Sequence, residues 1–182
     1  MIASGFVSPC LLLLTISGDV IWCPGSTESN FFRFSPLDDV VMGGASESTF
    51  DNNTGIWKGT VTSVNNGGFV GIRSNPFAQP LDMESCTGLE IKLRGGDGKR
   101  FKGTVRDSTD FNGICWTTSF DTGSSFSPLN LWNGGDQSGI VGTVKLPFNK
   151  QIPTIFARTV PDQVFRSDNV QGIQFAYSKV SS

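Results

Sequence analysis

Asp38 and Asp39 stand side by side, and with Asp82, Asp97 or Asp107 they are the acids of this chain that could share a proton or hold a calcium ion. Either chemistry needs the carboxylates to converge. Adjacent residues on an extended chain point to opposite faces, so the pair is poorly disposed to act together. No histidine occurs anywhere in the sequence. Its absence removes the commonest general base, the commonest zinc ligand and every His-dependent triad. Cys10, Cys23, Cys86 and Cys115 lack the close-paired spacing of a metal site and are too few for a disulfide framework. Cys86 and Cys115 therefore read as reduced, buried or half-buried thiols. Serine and threonine are plentiful, but without histidine, a flanking lysine or a strand-to-helix elbow none reads as a nucleophile. Gly95-Gly96-Asp97-Gly98 invites comparison with a phosphate loop, yet the Lys-Ser/Thr and the helix that such a loop requires do not follow it. It also fails the dinucleotide pattern and reads as a turn. The expectation is a chain with no catalytic residues, no metal and no cofactor.

Charge narrows the partners. Lys+Arg total 14 against 16 Asp+Glu, and the basic residues are scattered, whereas nucleic acid or an anionic membrane would need a concentrated positive patch. Neither partner is expected. Lys99, Arg100 and Lys102 form the densest basic run and read as a solvated turn and strand face.

The elements that must hold these residues are strands. A length of 182 residues suits one domain with a substantial core. No apolar stripe persists at helical spacing for three turns, and no helix longer than about two turns is expected. From Phe31 onward short alternating segments arrive between turn signals, the pattern of an all-β sandwich or barrel. Ile56 to Val64 suits a pleated surface and ends in Asn65-Asn66-Gly67-Gly68, residues that tolerate positive φ; a returning strand, Phe69 to Arg73, follows. Leu89, Ile91 and Leu93 alternate with Glu90, Lys92 and Arg94, which makes this the clearest strand, with one face buried and one wet. Gly95 to Gly98 then permits a tight reversal into Phe101 to Arg106, predicting a hairpin. Cys115 to Phe120, Ile140 to Leu146 and Val170 to Tyr177 are the later strands, the last turning Ile173, Phe175 and Tyr177 inward and Gln174 outward.

Residues 1–30 read as an N-terminal arm or the remnant of a targeting segment. The run Cys10-Leu11-Leu12-Leu13-Leu14 falls far short of the roughly twenty residues that cross a bilayer. It suits the h-region of a signal peptide, but no Lys or Arg precedes it. The alternative is an extended arm that packs on the domain or on a neighbour. Ile2 to Pro9 also resembles, over four residues, the Ala-Ser-Xaa-Phe junction at which imported plastid proteins of algae with secondary plastids are cut.

Asp39-Val40-Val41-Met42-Gly43-Gly44-Ala45-Ser46 resembles the most characteristic motif of the thirty-kilodalton complex I intermediate-associated protein family. Further similarities follow in the family's order: Trp57-Lys58-Gly59; Asn65-Asn66-Gly67-Gly68-Phe69 with Arg73; Gly88-Leu89; Arg94-Gly95-Gly96-Asp97-Gly98; and Leu146-Pro147-Phe148. The resemblance covers about residues 31 to 178. It implies a galactose-binding-like jelly roll of two antiparallel sheets in residues 31–182, without the family's usual last strand. It also implies a non-catalytic role as assembly factor or peripheral subunit of a membrane electron-transfer complex, respiratory complex I or a photosystem. The partners would be protein subunits of that complex and the setting an organelle; the junction at Ile2 to Pro9 favours a plastid over a mitochondrion. An extra glycine at Gly95 or Gly96, a missing tryptophan before Leu146 and an insertion from Thr122 to Gly139 depart from the family pattern.

Within the motifs, Gly43, Gly44, Gly67 and Gly68 can hold backbone geometries closed to other residues, with Met42 and Phe69 anchoring their loops in the core. Asp39, Asn66 and Arg73 are expected together beside them, with Asp39 and Arg73 interacting directly or through one polar neighbour. That cluster either braces two loops or grips a partner. In the insertion, Leu131 and Trp132 are expected to contact a partner or to cap the end of the sandwich. A carbohydrate-binding module is the alternative function, with Trp57, Trp116 and Trp132 as aromatic platforms.

Overall fold

Leu89, Ile91 and Leu93 are 1%, 0% and 3% exposed, so the alternation that marks this strand in the sequence is realised as one buried face. Each such side chain contributes about 1.5–3 kcal/mol of hydrophobic burial. The computed structural model describes residues 5–16, 19–25, 32–95, 98–122 and 141–179. In chain order its strands are β1 (Gly5–Ile16), β2 (Asp19–Trp22), β3 (Phe34–Pro36), β4 (Glu47–Asp51), β5 (Ile56–Val61), β6 (Phe69–Ser74) and β7 (Gly88–Arg94). They continue with β8 (Arg100–Arg106), β9 (Cys115–Asp121), β10 (Val141–Pro147), β11 (Ile152–Ile155), β12 (Arg158–Thr159) and β13 (Gly172–Ser178). Among the described residues the helical pieces are 3-10 turns of three or four residues.

The strands form two antiparallel sheets. One runs β10-β7-β1-β5-β4 with β2 attached to β1, and the other β12-β11-β9-β8-β13-β6-β3. Trp57, Val61, Leu89, Ile91, Leu93 and Leu146 from the first sheet share one core with Val70, Ile72, Phe101, Val105, Ile173 and Phe175 from the second. The rings of Trp57 and Phe101 meet across it at 5.9 Å. The chain is all-β, as its turn-punctuated alternation predicts.

Two expected returns are made differently. Phe101 to Arg106 does not pair with Leu89 to Arg94: β7 belongs to the first sheet, and β8 pairs with β9 and β13 of the second. Likewise β6 does not return alongside β5 but pairs with β13 and β3. Alternation states which face of a strand is buried. It does not distinguish a neighbour in the same sheet from a strand facing it across the core, and both connections here cross the core. The turn chemistry itself is present, with Asn65 at φ 56, Asn66 at φ 59, Gly95 at φ 88 and Gly98 at φ 70.

The stretch expected as an N-terminal arm contains β1. Its backbone pairs with β5 on one side (Phe6 opposite Thr60, Cys10 opposite Trp57) and with β7 on the other (Leu12 opposite Leu93, Leu14 opposite Ile91). It is therefore an inner strand of the six-stranded sheet.

Candidate functional site

The Asp38-Asp39 pair opens a 3-10 turn, Asp39–Met42, and the change of backbone direction there sends the two carboxylates to different donors. Asp38 accepts hydrogen bonds from Ser48 N (2.6 Å), Ser48 Oγ (2.7 Å) and Gly71 N (3.1 Å). Asp39 accepts from Ser46 N (2.8 Å), Ser46 Oγ (2.6 Å), Gly68 N (2.6 Å) and Phe69 N (3.2 Å). Both residues are buried, at 7% and 1% exposure. Ser48 lies on β4 of the six-stranded sheet, Phe69 and Gly71 on β6 of the seven-stranded one, and Ser46 and Gly68 just before those strands. The turn is thus tied to both sheets. Burial alone would raise the Asp39 carboxyl, but the bonds from Ser46, Gly68 and Phe69 outweigh it and hold it below its ordinary value.

The glycines of the motif now have separate reasons. Gly43 ends the turn at φ 88 and Gly68 sits at φ 150, conformations that favour glycine. Gly44 and Gly67 lie against the carboxylate itself. A Cβ on Gly44 would collide with the Asp39 carboxyl group, and one on Gly67 would stand 2.5 Å from Asp39 Oδ2. The Gly44 amide in turn donates to the Asp39 carbonyl at 2.9 Å.

Met42 does not anchor this turn in the core. It is 75% exposed, and its neighbours Val40 and Val41 are 57% and 61% exposed. Four hydrogen bonds to Asp39 hold the turn, so the apolar side chains between Asp39 and Gly43 are free to face solvent. Phe69 is half-buried and contributes its backbone amide.

Asp39 and Arg73 do not interact, and Asn66 donates none of the hydrogen bonds to Asp39. Arg73 donates Nε to Gln174 Oε1 at 2.9 Å and lays its guanidinium 4.5 Å from the centre of the Phe111 ring. The reason is spacing: Asp39 binds amides at the start of β6, and Arg73 lies four residues further on, about 13 Å along an extended strand. Asn66 is exposed at φ 59 and serves the turn. Leu131 and Trp132, with the rest of the expected insertion beyond Thr122, lie outside the described residues.

Trp57 and Trp116 are buried, at 4% and 5% exposure, and offer no platform for a sugar ring. Cys86 and Cys115 are half-buried, and neither is joined in a disulfide. Among the described residues no three His, Cys, Asp or Glu side chains gather where they could hold a metal, and no helix is long and apolar enough to cross a membrane. Sequence reasoning missed Asp38, Ser46 and Ser48 as members of the site. The signal available for the two serines was the Ser-Xaa-Ser spacing at the start of β4, which places both hydroxyls on one side of an extended segment.

No curated protein matches the chain. Residues 26–181 match the family described as Complex I intermediate-associated protein 30, a span that takes in the aspartate turn, the glycines packed against it and the strands of both sheets from β3 onward. With nearly its whole length matched, the chain belongs to the complex I intermediate-associated protein 30 family.

Proposed function

We propose that this protein is a non-catalytic binding module, an assembly factor or peripheral subunit of a multi-subunit membrane electron-transfer complex, and that it docks through the turn Val40–Met42. The observation that carries the reading is the pairing of a rigid mount with an apolar tip. Two buried aspartates accept seven hydrogen bonds, and the three side chains of the turn beside them are each more than half exposed. Val64, 38% exposed, stands on the adjoining turn before Gly67 and Gly68, which adds to the apolar surface. A preorganised apolar projection loses little conformational freedom on binding, the condition for a contact that contributes net affinity.

Complex I is the host we propose, because the family description names it, with a mitochondrial setting to match. A photosystem and a plastid are the competing host and setting, drawn from the short junction resemblance at Ile2 to Pro9. We further read the two-sheet architecture as a galactose-binding-like jelly roll, supported by the antiparallel sheets sharing one core. Blue-native electrophoresis of organelle membranes, probed for this chain, tests host and docking together. Co-migration with complex I or its smaller intermediates is expected. Replacing Val41 and Met42 by serine should abolish co-migration while leaving the unfolding free energy of the isolated protein, read from urea denaturation, within about 0.5 kcal/mol of wild type, as exposed sites allow. Undiminished co-migration of that variant would remove the turn as the docking surface.

A further inference from the structure

The register of the seven-stranded sheet sets Ser35 opposite Arg73, Arg73 opposite Gln174, and Arg106 opposite Gly172. Arg73 and Arg106, with Gly172 adding no side chain of its own, border a hollow of ≈ 260 Å³ whose lining includes Ser35, Ser108 and Thr109. Arg106 is only 4% exposed, and its guanidinium meets neutral acceptors: Cys115 Sγ at 2.8 Å and the carbonyls of Asp110 and Phe111. Arg73 meets Gln174 Oε1 and the Phe111 carbonyl, at 2.9 and 3.4 Å. Among the described residues neither arginine forms an ion pair; the pairs present are Arg100 with Asp121 and Lys145 with Glu90. The carboxylates of Asp107 and Asp110 accept from Arg166 N at 3.1 Å and Asn112 N at 3.0 Å, and neither forms an ion pair with Arg73 or Arg106.

A buried cation such as Arg106 is costly without a counter-charge, and a second, half-buried cation beside it adds to the cost. Arg73 and Arg106 both reach the Phe111 carbonyl, at 3.4 Å each, which sets the two cations close together; burial first, and then the Arg106 charge, push the Arg73 pKa down. Donors remain to meet an anion. Ser108 Oγ accepts from Asp110 N at 3.1 Å, which leaves its own proton to donate, and the hydroxyls of Ser35 and Thr109 have no partner among the described residues. The Phe111 ring, 4.5 Å from the Arg73 guanidinium carbon, holds that group by a cation–π contact.

We propose that this hollow binds the phosphate group of a small soluble phosphate monoester, with Arg73 and Arg106 as its cationic clamp and Ser108 and Thr109 as hydroxyl donors. A dianion balances two guanidiniums. Donors from the sheet face, from the loop after β8 and from β3 surround a tetrahedral group, whereas one arginine fork satisfies a planar carboxylate. The volume leaves room for a few carbon atoms beyond the phosphate. This site does not rest on the docking turn.

The test is calorimetric titration of the full chain at constant ionic strength with inorganic phosphate, glycerol 3-phosphate and succinate, beside sedimentation with phosphatidylcholine vesicles containing phosphatidic acid. Saturable one-site binding of both soluble phosphates is expected, weakened roughly tenfold or more in Arg73→Gln by loss of a charge-assisted contact. Should Arg73→Gln fail to fold, Phe111→Ala, at an exposed position, should weaken binding roughly threefold through loss of the cation–π contact that holds the arginine. No saturable heat, equal affinity for succinate, binding to the vesicles alone, or affinity unchanged in the variant that folds would each overturn the proposal.

Discussion

Asp39 shows how one side chain can dictate the residues around it. Its carboxylate takes four hydrogen bonds from the segments that begin β4 and β6, and two glycine α-carbons close over it. Asp39→Ala would leave the Ser46, Gly68 and Phe69 amides without their acceptor. The expected cost is about 3 kcal/mol, read from urea denaturation, since stranded buried donors carry their full desolvation penalty. Gly44→Ala should cost about 1–3 kcal/mol in the same assay, because the new methyl group must displace that carboxylate. The charge has its own signature. The folded pKa of Asp39 lies below 3.8, so its stabilisation is complete above that value and is lost as pH falls through 3.8 toward the folded pKa, where the unfolded chain takes up the proton first. Asp39→Asn should flatten the dependence of stability on pH in that acidic range. A slope identical to wild type would mean that other carboxylates carry it.

At the scale of elements, β1 is the piece whose removal should matter most. It lies between β5 and β7, so its loss would leave two long strand edges unpaired inside one sheet. Unpaired edges of this kind recruit other chains. Deleting residues 1–16 should therefore give an aggregating protein or an unfolded one, measured by light scattering and far-ultraviolet circular dichroism. A monodisperse, folded deletion variant would show that β5 and β7 close on each other without it. The connections β5 to β6 and β7 to β8 belong to this scale too, because each carries the chain from one sheet to the other.

Across the whole molecule the two sheets depend on one core, since neither buries its apolar face without the other. Unfolding should consequently be a single transition, with tryptophan fluorescence and circular dichroism changing together. Phe101 sits at the junction, 3% exposed and in ring contact with Trp57, Phe120 and Tyr177. Phe101→Ala should lower stability by about 3–5 kcal/mol, measured in urea, without separating the two probes. Separate transitions would indicate that the sheets unfold independently.

The sequence by itself determined the class of structure and much of the core. Alternation at Leu89, Ile91 and Leu93 and at Ile173 and Phe175 names inward faces because the strand period is two whatever the strand pairs with. Turn chemistry is equally local, so the positive φ at Asn65, Asn66, Gly95 and Gly98 follows from residue type. Only the tertiary structure decided which strands pair, that β1 enters the sheet, and that Arg73 joins Arg106 across β13 and not Asp39. Those outcomes depend on register between segments far apart in the chain, and period-two alternation carries no record of it. The same holds for Gly44 and Gly67: a glycine can be read as permissive, but that a carboxylate lies against its α-carbon is known only once the two loops meet.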